Sequence, residues 1–194
     1  MCAGACPDPA TGQVNGGQAF DRSTTGLDVP AHADFDWGRE DNFTVEFWMY
    51  RSGDITKNEV VVGRDDTPTT SLHWWVGLRR EGTEGYPVLY VTDTDGTTFF
   101  AQGTTVLNDG VWHHIVAVKH YGKRQLRIYV DGALEYTTTS VEYTAGLDSP
   151  TATVNIGWID RVGTAHGYRF GGIADEIAIF GTALTDAEVA EHYA

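Results

Sequence analysis

The chain has 194 residues and is short of cysteine, proline and positive charge. Its two cysteines, Cys2 and Cys6, both stand in the first six residues. That excludes a scaffold built from several disulfides, and with no further Cys or His close by it excludes a thiolate metal site. The Cys-Ala-Gly-Ala-Cys spacing closes one small disulfide loop in an oxidising compartment; the alternative is a leader with free thiols. Lys and Arg number 13 against 27 Asp and Glu, a net charge of −14. Such a surface repels phosphate, which excludes nucleic acid and disfavours anionic membranes. No apolar run approaches the ~20 residues that cross a bilayer, so no membrane insertion is expected. A secretory signal is also missing, and Met1 followed at once by Cys2 reads as the start of a segment taken from a larger protein.

Aromatic residues are plentiful, at 12 %, and 23 glycines supply turns. Residues 1–13 read as a leader or linker, interrupted by Gly4, Pro7, Pro9 and Gly12. Residues 14–194 show no internal linker or repeat and read as one domain. Strand patterns recur along it: 43–50, 59–63, 71–79, 88–92, 97–102, 112–119, 125–130, 133–138, 152–158 and 172–180. Asp131-Gly132 marks a tight turn between two of them. One helix is expected, from Asp186 to His192, opened by the capping box Thr185-Asp186-Ala187-Glu188. Short strands with turns every 8–12 residues predict an all-β chain: a two-sheet antiparallel β-sandwich or jelly roll with one short C-terminal helix.

Alternation along Ser71–Arg79 is the most informative local pattern. It sends Leu72, Trp74, Val76 and Leu78 to the core and puts His73, Trp75 and Arg79 on the other face, with Gly77 leaving a gap. An aromatic ring flanked by His and Arg suits a sugar, whose C–H face stacks on the ring while its hydroxyls meet the polar neighbours. Gly63-Arg64-Asp65-Asp66-Thr67 reads as a loop whose Asp65 and Asp66 accept from hydroxyls or hold a ligand-associated cation. Asp160, His166 and Tyr168, on a Gly-rich segment, are candidates to rim the same face. Two tempting metal motifs fail. Adjacent strand residues diverge, so His113 and His114 do not chelate one ion. Asp93-Thr94-Asp95-Gly96 opens like an EF-hand loop, but its twelfth position is Thr104, where a bidentate Glu is required.

Five motifs, taken in order, resemble the laminin G-like domains of the concanavalin A-like superfamily, in their bacterial jelly-roll form. They are Gln18-Ala19-Phe20-Asp21 with Phe43-Thr44-Val45-Glu46-Phe47-Trp48, Gly110-Val111-Trp112-His113-His114, Leu126-Arg127-Ile128-Tyr129-Val130-Asp131-Gly132, Gly172-Ile173-Ala174-Asp175-Glu176-Ile177 and Ala183-Leu184-Thr185-Asp186-Ala187-Glu188. The resemblance implies stacked convex and concave sheets, and binding of glycans or of cell-surface and extracellular proteins by a monomeric module of a larger secreted protein. It also implies a structural Ca²⁺ between the N-terminal Phe-Asp and C-terminal Asp-Glu segments, here at Asp21 and Asp175, which the acidic balance suits. The family often has Gly after the first Asp; this chain has Arg22. The superfamily includes glucanases and lyases, but no Glu-x-Asp-x-Glu strand, Gly-x-Ser-x-Gly elbow or His-Glu-x-x-His helix occurs here. The expectation is therefore a non-catalytic, calcium-stabilised carbohydrate-binding, lectin-like module; the alternative is a protein-adhesion or spacer module.

Overall fold

The computed structural model describes residues 1–67, 69–159 and 168–194. Thirteen strands run in chain order. They are β1 Asp8–Thr11, β2 Gly16–Ala19, β3 Leu27–Val29, β4 Phe43–Ser52, β5 Glu59–Asp65, β6 His73–Glu81 and β7 Glu84–Thr92. Then follow β8 Thr98–Gln102, β9 Asp109–His120, β10 Gln125–Val130, β11 Ala133–Thr138, β12 Val154–Ile156 and β13 Ile173–Phe180. Among the described residues there is a single α-helix, α1 Asp186–Tyr193. The strands form two sheets, in the orders β1-β2-β13-β4-β9-β10-β11 and β3-β12-β5-β6-β7-β8, and every ladder is antiparallel. This is the expected two-sheet sandwich with one short terminal helix.

The facing sides of the sheets fuse into one core. Phe43, Val45, Phe47 and Met49 of β4 meet Trp74, Val76 and Leu78 of β6, all fully buried. Leu72, Trp74, Val76 and Leu78 all point inward, as the alternation predicts. Trp37 stacks on Phe43 at 4.2 Å and lies 5.4 Å from Trp74, plugging one end of the sandwich. The capping box is present in both directions, Thr185 accepting from the Glu188 amide and Glu188 accepting from the Thr185 amide. Asp131 and Gly132 take φ values of 51° and 76°, as a two-residue hairpin turn of this type requires.

Some expectations are corrected. Residues 1–13, expected as a leader or linker, are joined to the sheets: β1 pairs with β2, Cys2 bridges to Leu27 in the sheet sense, and Cys2 and Cys6 are disulfide-bonded. The stretch from Gly63 is not a loop until after Asp65, because β5 continues through it. Arg64 is fully buried and donates to the carbonyls of Phe35, Leu147, Ser149 and Ala152 and to Asp36. It thereby ties two loops to β5 and is no part of a surface. Gly77 serves less as a gap than as a close approach: a Cβ there would lie 2.2 Å from the Glu59 carbonyl oxygen. Among the described residues no helix is long and apolar enough to cross a membrane.

Candidate functional site

The two outer faces of the sandwich differ. On the seven-stranded sheet, Val116, Val118 and Tyr129 are capped by Leu184 and Val189 at the C-terminal helix. On the six-stranded sheet the strands β6, β7 and β8 are consecutive, joined by tight turns, so their register follows from the turns. Glu81 pairs with Glu84, which places Trp75 opposite Tyr90, and Tyr90 in turn pairs with Phe100. All three rings project to the outer side, because Trp74, Leu89 and Phe99 point into or against the core.

The result is a row of rings across three strands. Trp75 and Tyr90 are 5.9 Å apart with planes 17° from parallel; Tyr90 and Phe100 are 6.2 Å apart at 10°. His73 stacks on Tyr90 at 5.3 Å, and the Arg79 guanidinium lies 4.9 Å from the Phe100 centroid, a cation–π contact. The openness of the row rises along it. Trp75 is 3 % exposed, packed with Val60, Val88 and Ile159 and against Tyr168, whose ring is 6.1 Å away. Tyr90 is half-buried, and Phe100 is 42 % exposed.

Polar groups flank the rings. Asp65 pairs with His73 in the register and so shares their face. Its Oδ1 accepts from the Thr67 amide at 2.7 Å and from the Thr67 hydroxyl, while Oδ2 is buried and meets no donor among the described residues. The His73 ring reaches the Ser71 carbonyl at 3.3 Å and Thr92 Oγ1 at 3.4 Å, and Thr92 bonds Thr98 at 2.8 Å. On the opposite flank Gln102 donates to Glu81 at 2.7 Å. Chemically this face offers flat apolar rings bordered by hydroxyl, carboxylate, amide and guanidinium groups.

The expected residues divide accordingly. His73, Trp75, Arg79, Asp65 and Tyr168 share this face. Trp75 is not its exposed ring, because Ile159 and Tyr168 cover it. Asp66 turns away into its own loop, where its backbone carbonyl accepts from the Thr69 and Thr70 amides and its Oδ2 lies 3.3 Å from the Thr70 hydroxyl. Asp160 and His166 lie outside the described residues. Tyr90 and Phe100 were missed; the alternation of Tyr86, Val88 and Tyr90, counted back from the Glu81–Glu84 turn, carried the signal.

The pair expected to share calcium is not brought together. Ala174 pairs with Gln18, so Asp175 stands level with Gly17, whereas Asp21 lies four residues further on, roughly 13 Å at strand rise. Each carboxylate is already satisfied. Asp21 accepts from the amides of Ser23, Thr24 and Thr25 and from the hydroxyls of Thr24 and Thr25. Burial works against its charge, but these bonds outweigh it and hold its pKa far below the ordinary value. Asp175 accepts from the amides of Val14 and Glu176, each at 2.9 Å. Among the described residues no three His, Cys, Asp or Glu cluster as a metal site would need. The donor set does not fit one shared ion. Arg22, where the family favours Gly, takes φ of 61°, a glycine-favouring conformation, and pairs with buried Glu59 at 3.1 Å.

Comparison with known proteins agrees with this architecture. A laminin G family described as the concanavalin A-like lectin/glucanases superfamily matches residues 21–190. No curated protein matches the chain. Domain 4 of an extracellular arabinanase from Geobacillus stearothermophilus, solved with arabinotriose, superposes with a TM-score of 0.70 at 17 % identity, over 98 % of this chain and 86 % of that one. The CBM40 domain of the Ruminococcus gnavus IT-sialidase, bound to α2,3-sialyllactose, gives 0.71 at 14 % identity, over 92 % and 96 %. A pentraxin from Limulus polyphemus gives 0.62 at 15 % identity, over 91 % and 80 %.

Proposed function

The chain belongs to the concanavalin A-like lectin/glucanase superfamily, and from that premise we propose that it is a non-catalytic carbohydrate-binding module. Its glycan would lie on the outer face of β6, β7 and β8. One observation carries this reading: the parallel rings of Tyr90 and Phe100, open on a sheet face whose opposite number is closed by a helix. A pyranose or furanose stacks its C–H face on Phe100 and Tyr90, while Arg79, Gln102 and Thr98 stand ready for its hydroxyls. Trp75 backs the row and does not touch the sugar.

Several features support binding rather than catalysis. Hydrolysis of a glycoside needs two carboxyl groups ~5–9.5 Å apart across the bond. Carboxylates flank the rings at Asp65, level with His73, and at Glu81 at the other end of β6, eight residues on and roughly 26 Å at strand rise, too far apart for such a pair. The solved neighbours named with arabinotriose and α2,3-sialyllactose are modules of the same fold that hold sugars. The Cys2–Cys6 bridge suits an oxidising compartment, in keeping with a module of a secreted or surface protein.

A glycan array followed by calorimetric titration tests the reading. Phe100→Ala and Tyr90→Ala should each weaken a retained glycan by about tenfold or more, the scale of a lost ring contact. If the folded wild-type chain retains no glycan above background, the reading is wrong. Exposed Leu134 and Tyr136 on β11, the strand beside β8, would then favour the protein-adhesion reading.

A further inference from the structure

Bases are scarce here, 13 Lys and Arg in all, yet five gather at one end of the sandwich. Lys119, Lys123, Arg124 and Arg127 lie on the β9–β10 hairpin, and Arg39 on the loop against it. Three of them, Arg39, Lys119 and Arg124, line a cleft of about 320 Å³ together with Tyr121, Glu142 and Tyr143. That volume sits at the small end of the range for ligand sites, about 300–1,000 Å³.

The buried side of the cleft holds a charge without a counter-ion. Lys119 is 2 % exposed. It points inward because its strand partners, Phe43 and Leu126, are core residues. Its Nζ donates to the Arg39 carbonyl at 3.0 Å and to the Asp41 carbonyl, and lies 5.5 Å from the Tyr143 centroid. Among the described residues no carboxylate is in ion-pair contact with it; Asp41 acts only at a distance. Burial therefore pushes its pKa down to about 8.

At the rim, Arg39 pairs with Glu40 at 2.8 Å and Arg124 with Glu142 at 2.6 Å. Both pairs are exposed, contribute little, and open easily. Guanidinium forks match a carboxylate in two-point contact. Beside them is the exposed ring of Tyr121, with the edges of buried Val141 and Tyr143 behind it, which a bare inorganic anion would leave uncovered.

We propose that this cleft is a second ligand site, which takes a carboxylate-bearing sugar of monosaccharide size. It is separate from the ring face of the other sheet. The carboxylate meets Arg124 and Arg39 and offsets the buried Lys119, while the sugar ring covers Tyr121.

Nuclear magnetic resonance titrations with D-glucuronate, D-glucose and sulfate test this on the folded chain. Glucuronate should bind saturably, more weakly as ionic strength rises, and Arg124→Gln should weaken it about tenfold, as for one lost charge-assisted hydrogen bond. Tyr90→Ala should leave it unchanged, which separates this site from the ring face even if that face binds no glycan. The proposal is overturned if glucuronate does not bind, if glucose or sulfate binds equally well, if Arg124→Gln has no effect, or if Tyr90→Ala abolishes binding.

Discussion

Both outer faces of this sandwich carry aromatic rows; among the described residues one is capped by the C-terminal helix and the other opens toward Phe100. On the seven-stranded sheet, Trp48 lies 5.0 Å from His114 and stacks on Tyr193 of α1 at 5.6 Å. Glu46 joins the cover, bonding His114 at 2.9 Å and His192 of the helix at 2.8 Å. On the six-stranded sheet the row Trp75, Tyr90 and Phe100 has a cover at the Trp75 end, from Ile159 and Tyr168, and opens toward Phe100. Rings of the same kind are structural where a later segment of chain returns over them and available where none does. The strand pattern is identical in the two cases, so the returning segment decides.

The sharpest way to break this contrast is at Trp75. If it is a covered ring, Trp75→Ala costs about 3–5 kcal/mol of stability, as for a fully buried Trp, seen as a large drop in denaturation midpoint. A small drop with lost glycan affinity would make it a contact residue after all. Trp48→Ala, on a half-buried ring, should cost less, about 2–3 kcal/mol, and leave glycan affinity intact; a loss of affinity would mean the covered face binds too.

Acid probes the helix cover. Burial pushes the Glu46 carboxyl up, but the hydrogen bonds and charges of His114 and His192 outweigh it, leaving its pKa below the ordinary 4.5. A carboxyl lowered on folding adds stability above its unfolded pKa, and that contribution is lost as pH falls through the folded value. Stability should therefore fall below about pH 4.5, with a shallower slope in Glu46→Gln; equal slopes would remove Glu46 from the anchoring. Thr185→Ala, which deletes the helix cap, should cost about 1 kcal/mol by chemical denaturation and leave the ring face unaffected. The smallest effect is expected from calcium: melting in EDTA and in millimolar Ca²⁺ should coincide, because Asp21 and Asp175 are separately satisfied. A rise in midpoint that Asp175→Asn removes would instead show an ion displacing the Val14 amide.

The fold was largely legible because it rests on local rules. The alternation of β6, the Asp131-Gly132 turn and the capping box at Thr185 each depend on a few neighbouring residues, and each stands as expected. The N-terminal strand was not legible: Asp8-Pro9-Ala10-Thr11 has no strand pattern of its own and is held by pairing with β2. The site was legible by face but not by exposure. Period two places Trp75 outward, yet whether it meets solvent depends on Ile159 and Tyr168, more than 80 residues away. Whether Asp21 and Asp175 meet was hidden for a similar reason. Bringing Asp21 near Asp175 requires a register between β2 and β13, and the actual register sets them four residues apart.

The meander of β6, β7 and β8 has a consequence for how such a module diversifies. Residues on this stretch alternate between two duties one position apart: Trp74 beside Trp75, Leu89 beside Tyr90, Phe99 beside Phe100. The inward member of each pair is committed to packing, while Tyr90 and Phe100 meet each other, the His73 and Trp75 rings and the Arg79 guanidinium on the outer face. Phe100, the more open of the two, is the position where substitution should cost folding least. If this face binds a glycan as proposed, the run of 30 residues His73–Gln102 would serve as a cassette in which ligand preference changes at its open end while the scaffold stays fixed.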